Sequence, residues 1–228
     1  MTQPGEAEFL RVLADWRATN AIGVSNIGEW DRALAVIARE EQGLRERGAW
    51  VHGREDLFGV LGIQRAEVMH SAMIAWLMDP CARHGLGIRF LASVLRRAFP
   101  NDAFADLAGA RTSCEVTRAE CRADIVVEMT DATIILENKV DARESPRQCD
   151  VLYERFSEQR GAHFILLTPL GNRPDTATGD AAEAFASISY GDVRTALREA
   201  LGATPENHTP WGRRTAEDYL LTLGREFR

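Results

Sequence analysis

Two carboxylates and one ammonium, Asp124, Glu137 and Lys139, are the side chains of this 228-residue chain whose types and spacing could do chemistry together. They bracket the stretch DIVVEMTDATIILENK, in which two β-branched apolar runs flank a short polar break at Thr130 and Asp131. That pattern predicts a β-hairpin. Asp124 opens its first strand, and Glu137 and Lys139, two apart and therefore on one face, close its second. A turn centred between Thr130 and Asp131 sets Asp124 directly opposite Glu137. Facing Cβ atoms lie roughly 5 Å apart, where like charges repel. Folding gains nothing from two carboxylates so placed, whereas a divalent cation would turn the repulsion into coordination. A slip of one residue would separate them onto opposite faces.

The lysine sharpens the pattern. Of 27 basic residues, Lys139 is the only lysine and the other 26 are arginine. Lysine is a compact point charge that fits beside a water, where the planar arginine fork does not. The plain alternative is a surface ion pair with Glu137, which would contribute little.

Asp, a dozen residues, then Glu-x-Lys at the end of an apolar strand resembles the PD-(D/E)XK nuclease superfamily, with Ala123 in place of the motif's proline. The resemblance implies Mg²⁺, with Mn²⁺ as the alternative, held by Asp124, Glu137 and the backbone carbonyl of Asn138. It implies Lys139 beside the attacking water, and it extends along the chain. A helix over 64–78 carries Glu67, His70 and Ser71 at i, i+3 and i+4 on one face. From the helix alone, a satisfied core histidine and a boundary glutamate suffice. The family often takes an acid or a histidine from this helix, so Glu67 or His70 becomes a further ligand. The E-x-x-H-S, D-P and H-G-L-G run looks like one bacterial branch. On the helix after Lys139, Gln148 resembles a site glutamine of RecB-like members, with Tyr153 and Arg155 as the substrate contacts the resemblance suggests.

Composition bounds the rest. At 45% hydrophobic and 27% charged, this is an ordinary globular composition. No apolar run approaches the roughly 20 residues that span a bilayer, and MTQPGEAEF is unlike a signal peptide; a cytoplasmic protein is expected. Cys81, Cys114, Cys121 and Cys149 show no metal-ligand spacing and read as free thiols. A net charge of −7 argues against a nonspecific nucleic-acid coat. No GxGxxG or Walker A sequence is present.

In chain order, two amphipathic helices over 6–16 and 30–44 form an N-terminal helical extension, 1–55. The nuclease-like domain follows, 56–228. His84 reads as a turn residue, a helix runs over 88–99, and Arg96 and Arg97 are weak phosphate candidates. A strand over 111–117 precedes the hairpin, with Glu115 or Glu120 near the site. A helix begins by Pro146, and HFILLT (163–168) is a buried strand joined by a right-handed parallel crossover. The loop 171–182 reads as polar and flexible. A strand over 185–189 and helices over 191–201 and 215–227 complete the chain.

The expected fold is α/β and restriction-endonuclease-like: a mixed central β-sheet flanked by helices. The expected activity is metal-dependent phosphodiester hydrolysis, of DNA first and with RNA left open, in bacterial defence against foreign DNA. The alternatives are a catalytically silent DNA-binding or assembly module and a hydrolase of RNA or nucleotide esters. A homodimer or partner subunit is left open.

Overall fold

The computed structural model describes Arg11, residues 27–205 and residues 210–227. Apart from Arg11, the helix expected over 6–16 lies outside the described residues. The chain divides into two compact units between Gly53 and Arg54. The first contains helix α1 (Ile27–Glu46).

The second unit is built on five strands, β1 (Arg111–Arg118), β2 (Cys121–Glu128), β3 (Thr133–Asn138), β4 (Ala162–Thr168) and β5 (Phe185–Ser189). They lie in that order, antiparallel from β1 to β3 and parallel from β3 to β5. The sheet is therefore mixed, as expected. Helices α2 (Leu57–Leu61), α3 (Glu67–Met78), α4 (Arg89–Ala98), α5 (Gln148–Phe156), α6 (Gly179–Ala184), α7 (Tyr190–Gly202) and α8 (Pro210–Glu226) surround it. Helix α5 is the crossover between β3 and β4.

Alternation along the strands splits the core in two. Ile134 and Leu136 of β3 join α3, α4, α7 and α8 in the larger cluster, while Ile135 joins Cys149, Leu152 and Phe156 of α5 in the smaller. Strand β3 is buried along its whole length, as a strand covered on both faces must be. Gly161 fixes how β4 enters beside it. Its φ is +51°, and a Cβ there would lie 2.5 Å from the Asp131 carbonyl oxygen, so only glycine fits.

Two elements depart from the sequence reading. The loop 171–182, expected to be flexible, is tied down: Glu144 accepts from the backbone N–H groups of Asp175 (2.8 Å) and Thr176 (3.0 Å), and Asp150 from that of Thr178 (2.7 Å). The loop then turns into α6. Its Gly, Pro and Asp content signalled irregular backbone, and local composition could not reveal acceptors on a distant segment. Helix α2 was also unforeseen. Asp56 caps it by accepting from Gly59 N–H, and is itself held by Thr222 of α8.

Candidate metal and catalytic centre

The β2–β3 hairpin has the register the sequence required. Ile125 pairs with Leu136 and Glu128 with Thr133, which places Asp124 and Glu137 at the next opposed position. The Asp124 carboxylate accepts from the backbone N–H of Asn138 across the ladder, at 2.8 Å.

On its other side β2 is distorted at the same point. Val116 pairs with Ala123 and Cys114 with Ile125, but Glu115 and Asp124 between them do not pair. Glu115 sits at φ +57°, a conformation that costs a non-glycine residue on the order of 1–3 kcal/mol. Across this break β2 changes faces: Ala123 packs in the smaller core with Val116 of β1, and Ile125 in the larger. Of the two acids left open, Glu115 is therefore the one beside the hairpin, close enough to raise the Asp124 pKa. Glu120 lies exposed in the β1–β2 turn.

Glu67, first residue of α3, reaches over the end of β3. One of its oxygens accepts from Val140 N–H at 2.9 Å, and the other lies 3.5 Å from Lys139 Nζ. Lys139 Nζ is 2.7 Å from Glu137 Oε1. Gln148 Nε2, at the first turn of α5, donates to that same oxygen. Glu137 is only 2% exposed, and its other oxygen, Oε2, is buried with no hydrogen-bond partner. Glu137 and Glu67 thus flank one ammonium, with Asp124 close enough to act on its charge.

The titration shifts express that imbalance. Burial, then the Asp124 charge, raise the Glu137 carboxyl to about 7 despite Lys139. Burial also raises Asp124, against the Asn138 N–H and Lys139, with Glu67 and Glu115 adding to the rise. Burial pulls Lys139 down, but Glu137, Glu67 and Asp124 together push it above its ordinary value. Lys139 is therefore a lasting cation, and the acids are short of positive charge.

His70 does not reach this cluster. It is fully buried on α3, with Nε2 3.0 Å from the Gln64 carbonyl and Nδ1 2.8 Å from the Tyr219 hydroxyl. A carbonyl only accepts, so the proton is assigned to Nε2 and Nδ1 accepts from Tyr219. Phe58, Tyr190, Tyr219 and Phe227 enclose the ring at centroid distances of 5.2–5.6 Å. Burial lowers its pKa, which keeps it neutral. Glu67 at the helix tip looks over the strand end, while His70, one turn in, looks into the core. His84 is likewise a turn residue, bound to the Asp79 carbonyl and Leu86 N–H.

Tyr153 packs on Phe164 at 5.3 Å, in the smaller core. Arg155 is exposed on α5. Among the described residues neither has a hydrogen bond to the three carboxylates. Arg97 and Arg96 are turned to Glu199 of α7, at 2.7 and 4.0 Å.

The residue that sequence reasoning undervalued is Asn138. Its side chain donates to Ser71 Oγ (3.0 Å) and the Glu67 carbonyl (3.2 Å) and accepts from the Tyr190 hydroxyl (2.8 Å). It joins α3, β3 and α7 behind the site. Tyr190, in the SISYGDV run that opens α7, was given no role; a buried tyrosine hydroxyl needs a partner, and here it is Asn138.

Fold and hairpin together define a nuclease scaffold of the restriction-endonuclease type. A model of the PD-(D/E)XK nuclease superfamily matches residues 55–219, well over half of the sequence, and the chain belongs to that superfamily. No curated protein and no solved structure gives a significant match. All four cysteines are free, and no helix among the described residues is long and apolar enough to cross a membrane.

The site fits a divalent cation. Among the described residues no three His, Cys, Asp or Glu side chains converge as a ready-made cage. Mg²⁺ does not need one, since it commonly takes one or two carboxylates and keeps several waters. The partnerless Glu137 Oε2 and the uncompensated buried charge are what such an ion would satisfy.

Proposed function

We propose that this protein hydrolyses phosphodiester bonds of nucleic acid, DNA in the first place, with a divalent cation at Asp124 and Glu137. The observation that carries the reading is the charge of the pocket. Asp124, Glu137 and Glu67 oppose one ammonium, and Glu137 Oε2 is buried without a hydrogen-bond partner.

Asp124 and Glu137 would hold Mg²⁺ or Mn²⁺, with the Asn138 carbonyl as a backbone ligand. The bound ion would supply Lewis-acid polarisation of a phosphoryl oxygen and acidify water. The chain's own residues prepare the rest. Asn138 N–H fixes the Asp124 carboxylate through Oδ2. Gln148 and Lys139 occupy Glu137 Oε1 and leave Oε2 available. Glu67 holds Lys139 from the other side while anchored on Val140 N–H. Lys139 brings its ammonium to Glu137 Oε1 at 2.7 Å. Its role is to orient the attacking water and to stabilise negative charge that develops on the phosphoryl oxygens. We place this activity in defence against foreign DNA, on the resemblance to the bacterial branch.

The site addresses phosphate, and a ribose 2′-hydroxyl would be read by other contacts. The test therefore presents linear, circular and single-stranded DNA and RNA side by side, with Mg²⁺, Mn²⁺ or EDTA. Cleavage of DNA with either metal and none in EDTA supports the reading. Cleavage undiminished in EDTA refutes it.

A further inference from the structure

The ends of β3 and β4 open onto a second feature. A cleft of about 380 Å³ begins at Lys139 and runs between the segment after β3 and the loop after β4, with Arg143 on one wall and Arg173 on the other. Ligands of α/β sheets gather outside the carboxyl ends of parallel strands. Neither arginine has an ion-pair partner among the described residues. Their neighbours do: Arg65 holds Asp141 and Arg147 holds Glu154.

The wall carrying Arg173 is held in place. The Glu144 carboxylate accepts from the N–H groups of Asp175 and Thr176, from Thr176 Oγ1 and from Cys149 Sγ. Thr168 Oγ1 accepts from Asn172 N–H at 2.9 Å. Of the two acids lining the cleft, the Glu144 carboxylate is held by the loop and that of Asp175 is not, and they face two guanidinium groups without ion-pair partners among the described residues. Guanidinium forks suit phosphate oxygens.

We propose that Arg143 and Arg173 form a subsite for a backbone phosphate flanking the scissile one, gripping the nucleic-acid strand as it leaves Lys139. This inference rests on the nuclease reading. The arginines act on binding, through phosphate charge and without base identity.

Binding of a fluorescent DNA oligonucleotide in EDTA, over a range of salt concentrations, tests it, together with steady-state cleavage. For Arg143→Gln/Arg173→Gln, two lost phosphate contacts should lower the slope of log affinity against log salt by about 1.4 on single strands and about 1.8 on duplex. KM should rise about tenfold with kcat little changed, since the contacts serve ground and transition state alike. Asp175→Asn should tighten binding, the opposite sign. A double variant with the wild-type slope and KM overturns the subsite, as does a loss confined to kcat. A wild-type protein that cleaves none of the substrates overturns the nuclease reading, and the subsite with it.

Discussion

Lys139 Nζ lies 2.7 Å from Glu137 Oε1, with the lysine side chain 12% exposed and the glutamate 2%, and both groups titrate above their ordinary values. An isolated ion pair would raise the lysine and lower the acid. Here burial and the Asp124 charge overcome the ammonium's pull on Glu137. The pair is one part of a pocket with too much negative charge, and the lysine is no surface ornament.

That placement predicts the behaviour of Lys139→Arg. The bulkier, planar fork should keep the charge and the fold but displace whatever water the ammonium orients. A misplacement near 1 Å costs on the order of a hundredfold in rate, so cleavage at least about tenfold slower than wild type is expected, with an unchanged melting temperature. Cleavage at the wild-type rate would make Lys139 a mere countercharge.

A pH dependence of stability follows from Glu137. Its carboxyl is raised from the usual 4.5 to about 7 in the folded protein. Between those values the folded chain holds a proton that the unfolded chain has released. Metal-free stability should therefore fall as pH rises through this window. Urea melts in EDTA should show the decline, and Glu137→Gln, which cannot ionise, should flatten it. His70 and His84, whose burial lowers their pKa values, act in the opposite direction, so the difference between the two proteins is decisive: a wild type whose change in stability from pH 5 to pH 8 equals that of Glu137→Gln would contradict the raised Glu137 carboxyl.

Tyr190→Phe tests the support behind the site. It removes the one donor to Asn138 Oδ1 among the described residues, on a fully buried side chain, and an orphaned buried acceptor costs about 1–3 kcal/mol. A loss of that size in urea is expected, with cleavage reduced in proportion as Asn138 loosens its hold on Asp124. A neutral substitution would show that water replaces the hydroxyl.

His70→Phe separates structure from ligation. Leaving the Tyr219 hydroxyl and the Gln64 carbonyl unpaired should cost about 1–3 kcal/mol, while affinity for Mn²⁺ stays within about twofold of wild type. A large fall in metal affinity without a loss of stability would return His70 to the site.

What the sequence disclosed and what it concealed differ by range. The hairpin register was legible because alternation and a short polar turn are local, and register then carried Asp124 and Glu137 to one position. The E-x-x-H pair was half legible. Spacing put both residues on one helix face, but only packing decides that the helix tip overhangs β3 while the next turn meets Tyr219 and Phe227. Gln148 was reached through the family resemblance alone. The Glu144 clamp on the loop after β4 spans about thirty residues, and nothing in a run of Gly, Asn, Pro and Asp indicates that its N–H groups have a distant acceptor. The face change at Glu115 and Asp124 was equally hidden, since no glycine marks it.

The central claim is that Asp124 and Glu137 are held together, against their own repulsion, for a divalent cation. Calorimetric titration of Mn²⁺ into the wild type, Asp124→Ala and Glu137→Ala, alongside metal-free melting temperatures, tests it most directly. The account predicts that the wild type binds the ion and both variants lose it, while Glu137→Gln, which removes the charge and keeps the shape, melts without metal no lower than the wild type. Alanine variants that bind Mn²⁺ as the wild type does would contradict the account.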